Sequence, residues 1–185
     1  MVIYYTHNYS SNKGESHRLL ELAIGEYLAK TGDTSVDAAG LVAKMEIGEM
    51  GKPSIPGWAA FSISHCKNSW AVLIADGMCG LDIQNNSTDN YVMIAERWYR
   101  DDEAESVKAT GADEFFRIWT RREAMVKAVG TSIISSQLPS TMNDVVEYEG
   151  ATWELANVSL PGGESLHAAV CAEKLEDIEY IELQV

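Results

Sequence analysis

The chain has 185 residues, 46% of them hydrophobic, with 28 Asp and Glu against 14 Lys and Arg for a formal charge of −14. A chain this long buries a core of its own, as one large domain or two small halves, and its acidity argues against a nucleic-acid partner, because phosphate binding needs clustered cations. No stretch approaches the ~20 apolar residues that span a bilayer, and the opening Met1-Val2-Ile3-Tyr4-Tyr5-Thr6-His7 lacks the basic flank of a secretory signal, so a cytoplasmic protein with no membrane partner is expected.

In chain order, Leu19, Leu20, Ala23, Ile24, Tyr27 and Leu28 recur at helical spacing, with Ser16 as the expected N-cap and Gly32 beyond the end. Gly51-Lys52-Pro53-Ser54-Ile55-Pro56-Gly57 is dense in turn formers and delivers the chain into the alternating strand Phe61-Ser62-Ile63-Ser64. The apolar run Trp70 to Ala75, closed by Asp76-Gly77, and the run Cys79 to Gln84 read as a hairpin, with Asp82 and Gln84 on one face of its second strand. Helices follow near Tyr91 to Trp98 and from the acidic turn Asp101-Asp102-Glu103. A longer helix is expected over Phe115 to Val129, with Asp113 as N-cap, Glu114 in the first turn and Gly130 at the stop. Val145 to Tyr148, Thr152 to Leu155, His167 to Ala172 and Tyr180 to Leu183 are short strands, read as mainly antiparallel. There is no sequence repeat, and helices interspersed with hairpins point to an α+β fold.

The cations are unevenly spread. Residues 1–50 carry four Lys and Arg against seven Asp and Glu, residues 51–130 nine against eleven, and residues 131–185 one against ten. A near-neutral centre in an acidic chain is what an anion site requires, although a solvated acidic tail on a chance distribution explains the counts as well. Cys66, Cys79 and Cys171 are odd in number and unpatterned, which fits neither a disulfide framework nor a structural zinc site.

On the long helix, Trp119, Glu123 and Lys127 are spaced by four and line one stripe, flanked by Arg121 and Arg122. Taken alone, Glu123 and Lys127 read as an ordinary surface pair worth ~0.3–0.5 kcal/mol. A carboxylate on a strand, Asp82, and one on a helix, Glu123, have the hard oxygen donors that Mg²⁺ prefers, but the sequence does not itself bring them together. Ser64 and His65 offer a hydroxyl and an imidazole to an anion, or are ordinary structural residues.

Four segments in the same order resemble the 4′-phosphopantetheinyl transferase superfamily, in particular the monomeric type that activates peptide and polyketide synthetases. Gly51-Lys52-Pro53 is similar to its Gly-Lys-Pro loop, and Phe61-Ser62-Ile63-Ser64-His65-Cys66 to its Phe-Asn-Ile-Ser-His-Ser strand end. Gly80-Leu81-Asp82-Ile83-Gln84 resembles Gly-x-Asp-x-Glu, and Trp119 to Gly130 resembles the Trp-x-x-Lys-Glu-x-x-x-Lys signature. Ala95 to Tyr99 with the trailing Glu103, Ser16-His17-Arg18, and Ala168 to Ala172 extend the resemblance over about residues 15–175.

The resemblance implies two similar α/β halves, 1–77 and 78–185, related by a pseudo-twofold axis, with the active site at their interface. It implies a transferase of the holo-[acyl-carrier-protein] synthase kind, which moves the phosphopantetheine arm of coenzyme A to a serine of an apo acyl, peptidyl or polyketide carrier protein and releases 3′,5′-ADP. Asp82 and Glu123 would hold Mg²⁺, with Mn²⁺ as the alternative, together with the diphosphate; Gln84 would be a third metal partner. Glu123 would take the serine proton, and Lys127 would neutralise phosphate charge. Arg18, Lys52, Ser64, His65 and Arg122 would contact coenzyme A, the first two and His65 at its 3′-phosphate and adenosine end. Gln84 stands where the family often has Glu, which predicts weaker metal binding; Arg122 stands for the usual Lys, and Thr131-Ser132 for a Gly-Lys-Gly-like continuation. A monomer is expected. The rival readings are a coenzyme A-binding relative with weak or no transfer activity, and an acidic protein-interaction module.

Overall fold

In the computed structural model, which describes residues 1–132 and 138–185, the chain runs twice through one pattern: a strand, a long helix, and a hairpin that returns to the strand. The first pass is β1 (Val2–Thr6), α1 (Glu15–Thr31), a short α2 (Ala38–Val42), a ribbon of β2 (Glu46–Ile47) and β3 (Pro53–Ser54), then β4 (Ala60–Cys66) and β5 (Ser69–Ala75). The second is β6 (Cys79–Asn85), α3 (Tyr91–Trp98), α4 (Asp101–Thr110), α5 (Ala112–Val129), β7 (Val145–Tyr148), β8 (Ala151–Val158) and β9 (Leu166–Ala172), followed by β10 (Glu179–Glu182). Two four-stranded sheets result, ordered β10-β1-β5-β4 and β6-β9-β8-β7. In each, the first strand of the pass pairs antiparallel with the last, so the α+β class expected from the sequence holds.

The period-2 alternation of each strand assigns its side chains to layers. Val2 and Tyr4 of β1 and Trp70, Val72 and Ile74 of β5 face α1, where Leu19, Leu20, Ala23, Ile24 and Leu28 complete one core. Each fully buried Leu or Ile there contributes about 1.5–3 kcal/mol. The alternate residues Ile3, Tyr5, Ala71 and Leu73 turn inward and meet Leu81 and Ile83 of β6 and Ala168 and Val170 of β9, so the inner faces of the two sheets share a second core. Beyond the second sheet, Ala124, Met125 and Ala128 of α5 pack on Trp153, Leu155, Ala169 and Cys171.

Several expectations are corrected. β5 and β6 do not form a hairpin, because both edges of β5 are already taken by β1 and β4; β6 crosses to the second sheet and pairs with β9. β10 runs parallel to β1, not antiparallel to a neighbour of its own half. Helix α1 begins behind Gly14, at φ 88°, and the Ser16 hydroxyl accepts from Trp70 Nε1 at 2.9 Å rather than capping the helix. Gly111 precedes α5, and Asp113 lies in the first turn, where the helix dipole favours its charge and Asn86 donates to it at 3.1 Å. Gly32 and Gly130 do end their helices, at φ 73° and 79°. No helix among the described residues is long and apolar enough to cross a membrane.

One contact sets the depth at which α5 lies on the second sheet. A Cβ built at Gly80 would stand 1.8 Å from Ala124 O and 2.6 Å from Ala128 N, so the strand and helix backbones approach as only glycine permits. Both partners are main chain and cannot swing aside. Gly80→Ala is therefore expected to destabilise the protein by about 3 kcal/mol or more, read as a lowered urea midpoint; an unchanged midpoint refutes the close approach.

Candidate active site

Because Leu81 and Ile83 turn inward to the shared core, Asp82 faces the opposite side of β6, under α5. It is 4% exposed. Its Oδ1 accepts from Lys127 Nζ at 2.7 Å and from Ser64 Oγ at 2.8 Å. Lys127 also donates to Ser64 Oγ at 3.1 Å and to the Leu81 carbonyl at 3.0 Å. The other carboxylate oxygen, Oδ2, is buried and has no hydrogen-bond partner. Burial pushes the Asp82 pKa above the usual carboxylate range, against the pull of Lys127, Ser64 and the Ile83 N–H.

Glu123, one helical turn before Lys127, is half-buried on the same stripe of α5. Burial raises its pKa, and the charge of Asp82 raises it further, against Lys127 and Arg122; the two carboxylates, far apart in sequence, share one electrostatic environment. Glu123 and Lys127 line a cleft of about 250 Å³ together with Met50 to Pro53, Ser62, Ile63, Gly130 and Thr131. Gln84, half-buried, projects from β6 on the same face as Asp82.

These residues fit a hard divalent cation. Mg²⁺ is commonly held by one or two carboxylates and completes its shell with water and substrate phosphate, and a buried carboxylate oxygen without a partner is an uncompensated acceptor. Among the described residues no cluster of three or more His, Cys, Asp and Glu offers a self-sufficient metal cage, consistent with a site that needs Gln84, water or the substrate to fill it.

The other expected contacts divide. Lys52 lines the cleft, and its Nζ donates to the Cys79 and Ala128 carbonyls, 3.2 Å each, tying the start of β6 to the last turn of α5; burial lowers its pKa. His65, on the opposite face of β4 from Ser64 by strand alternation, is exposed and packs at a tilt of 41° against Tyr9, ring centroids 5.1 Å apart. Arg18 is exposed on α1, ion-paired with Glu15 at 2.7 Å, and does not line the cleft. Arg122 is 2% exposed; its guanidinium donates to Glu103 at 2.7 Å and the Trp98 carbonyl at 3.2 Å and stands over the Tyr99 ring, so it is engaged in a buried ion pair on the side of α4. Glu103 in turn accepts from the Arg100 and Thr141 main chain and from the Thr141 hydroxyl. Ser62, whose hydroxyl accepts from Leu81 N–H at 3.0 Å, was not singled out by the sequence; its alternation with Ser64 was the available signal.

The model of the 4′-phosphopantetheinyl transferase superfamily matches residues 78–170, the stretch that carries Asp82, Gln84, Glu123 and Lys127. The chain belongs to that superfamily. It is 34% identical over 113 residues to the 4′-phosphopantetheinyl transferase AcpT of Salmonella typhimurium (strain LT2), covering 54% of this chain and 59% of the relative. The AcpT of Salmonella typhi is likewise 34% identical, over 115 residues with the same coverage. The match thus spans under two thirds of each relative's length.

Two outcomes follow from this geometry. Glu123 holds its proton to a higher pH folded than unfolded, so the stability it contributes is full below its unfolded pKa and is lost as pH rises through the folded one. Glu123→Gln cannot ionise; without metal, its melting temperature relative to wild type should climb as pH rises above the ordinary Glu value of about 4.3, and a pH-independent difference refutes the assignment. Glu103→Ala strands the Arg122 cation and should cost about 3–5 kcal/mol in a denaturant titration, against a small loss if the pair is solvated.

Proposed function

We propose that the protein transfers the 4′-phosphopantetheine group of coenzyme A to a serine of an apo acyl, peptidyl or polyketide carrier protein, as a holo-[acyl-carrier-protein] synthase type of enzyme. The observation that carries this is the unpartnered, buried Oδ2 of Asp82, beside Glu123 and a cleft lined by Lys52 and Lys127, in a chain of this superfamily. The halves are 1–77 and 78–185, with the site where they meet, so one chain suffices and a monomer is the working unit.

In this reading Asp82 and Glu123, with Gln84 directly or through water, hold Mg²⁺ or Mn²⁺, which offsets the negative charge of the diphosphate. Lys127 gives the transferring phosphoryl group a cationic hydrogen-bond donor. Lys52, which lines the cleft, and His65 would meet the 3′-phosphate and adenosine end. The serine hydroxyl attacks the β-phosphorus of coenzyme A; its proton passes to Glu123, directly or through water, and the phosphoanhydride bond breaks to release 3′,5′-ADP. Glu123 suits that role by its place on the cleft, since a general base must lie within reach of the proton it takes.

Incubation of the full chain with coenzyme A, Mg²⁺ and an apo carrier protein, followed by intact-mass measurement of the carrier, should show addition of one phosphopantetheine. Asp82→Asn and Glu123→Gln should each lower the rate by at least about 10²-fold with an unchanged circular dichroism spectrum. Gln84 motivates the weak relative, which would bind coenzyme A without modifying the carrier; an interaction module would do neither.

A further inference from the structure

β4 and β6 are edge strands of different sheets, and they lie side by side without a main-chain ladder. The N–H groups of β6 on the side away from β9 would be buried orphans, each costing about 1–3 kcal/mol. Two serines spaced by two on β4 meet two such groups spaced by two on β6: Ser62 Oγ accepts from Leu81 N–H at 3.0 Å, and Ser64 Oγ from Ile83 N–H at 3.2 Å. Both hydroxyls are buried. Side chains thus do between these edges what carbonyls do inside a sheet.

Ser64 is also saturated. A hydroxyl has one donor and two acceptor positions; here the acceptors take Ile83 N–H and Lys127 Nζ, which leaves the single proton for Asp82 Oδ1. With Lys127 on the same oxygen, Oδ1 carries two donors, and Oδ2, also buried, is the oxygen without a partner. We infer that Ser62 and Ser64 form a side-chain suture joining the two sheets across the active site, and that Ser64 is a positioning residue that turns Oδ2 of Asp82 toward the divalent cation. This rests on the proposed function for the cation and on geometry alone for the suture.

Amide hydrogen exchange of the full-length, metal-free chain reads the suture. Ser62→Ala should deprotect Leu81 and Ser64→Ala should deprotect Ile83, each more than neighbouring β6 amides bonded to β9; protection unchanged at both positions overturns it. Titration with Mn²⁺ alone reads the positioning. Ser64→Ala should weaken binding about ten-fold, as loss of a partner that orients a metal ligand does; Ser64→Thr, which keeps the hydroxyl, should restore it, and Ser62→Ala should lower stability with affinity near wild type. A folded Ser64→Ala with wild-type Mn²⁺ affinity overturns the positioning role, as does a ten-fold loss that Ser64→Thr fails to rescue. A wild-type chain that binds no Mn²⁺ overturns this role, while the proposed function stands or falls separately on transfer to an apo carrier. Normal Mn²⁺ behaviour across the series with no transfer to any apo carrier supports the inference and overturns the proposed function.

Discussion

A carboxylate on a strand buried between a helix and a neighbouring edge is the constraint around which this protein is arranged. Removing a charge from water costs several kcal/mol unless partners replace the lost hydration, and Asp82 is only half compensated, with two donors on one oxygen and none on the other. Each donor depends on a separate structural decision. Lys127 reaches Asp82 because Gly80 lets α5 lie almost backbone to backbone on β6. Ser64 reaches it because β4 brings its hydroxyls to the free edge of β6. A buried acceptor without a partner calls for an explanation, and in the proposed function a divalent cation would complete it.

The charge distribution supports the same point from longer range. A chain of formal charge −14 would repel a diphosphate, so the binding proposed above would depend on local cations in a confined, partly desolvated space, where fields are less screened. Lys52 and Lys127 line one cleft. Lys52 reaches it while holding the last-turn carbonyl of Ala128, where a cation is favoured by the helix dipole; the bond that fixes the end of α5 also sets a positive charge beside Glu123.

What the sequence shows well is what is decided locally. The apolar stripe of α1, the bounds of α3 and the stops at Gly32 and Gly130 follow from periodicity and from glycine in the left-handed region, and all hold. What it shows poorly is decided by neighbours distant along the chain. Asp76-Gly77 looks like a hairpin turn because nothing nearby reveals that β1 and β4 already hold both edges of β5. Arg122 reads as a coenzyme A contact because its ion-pair partner, Glu103, lies 19 residues earlier on a different helix, α4. The meeting of Asp82 with the Glu123 and Lys127 stripe was legible only through the family resemblance, although Gly80, two residues before Asp82, was a local sign that a backbone would come close.

The twofold use of one topology, without a repeat in sequence, shows how the site arose from packing positions. β1 and β6 open their passes and each lies under a long helix, α1 or α5. Facing α1, β1 carries Val2 and Tyr4, packed on Leu19, Leu20 and Ile24 in an apolar core. Facing α5, β6 carries Gly80, Asp82 and Gln84, and the helix answers with Ala124 and Ala128 where it is closest and with Glu123 and Lys127 at the cleft. The first helix is held off its sheet by branched side chains that fill the gap, whereas the second is drawn in by a glycine, so that polar groups from strand and helix come within bonding distance. The second pass supplies Asp82, Glu123 and Lys127, and the first brings Ser64 to Asp82 and Lys52 to the cleft, so this cluster of side chains draws on both passes. At the junction between β4 and β6, Ser62 bonds only main chain whereas Ser64 also bonds Asp82, so the two stitches differ in whether they reach a carboxylate.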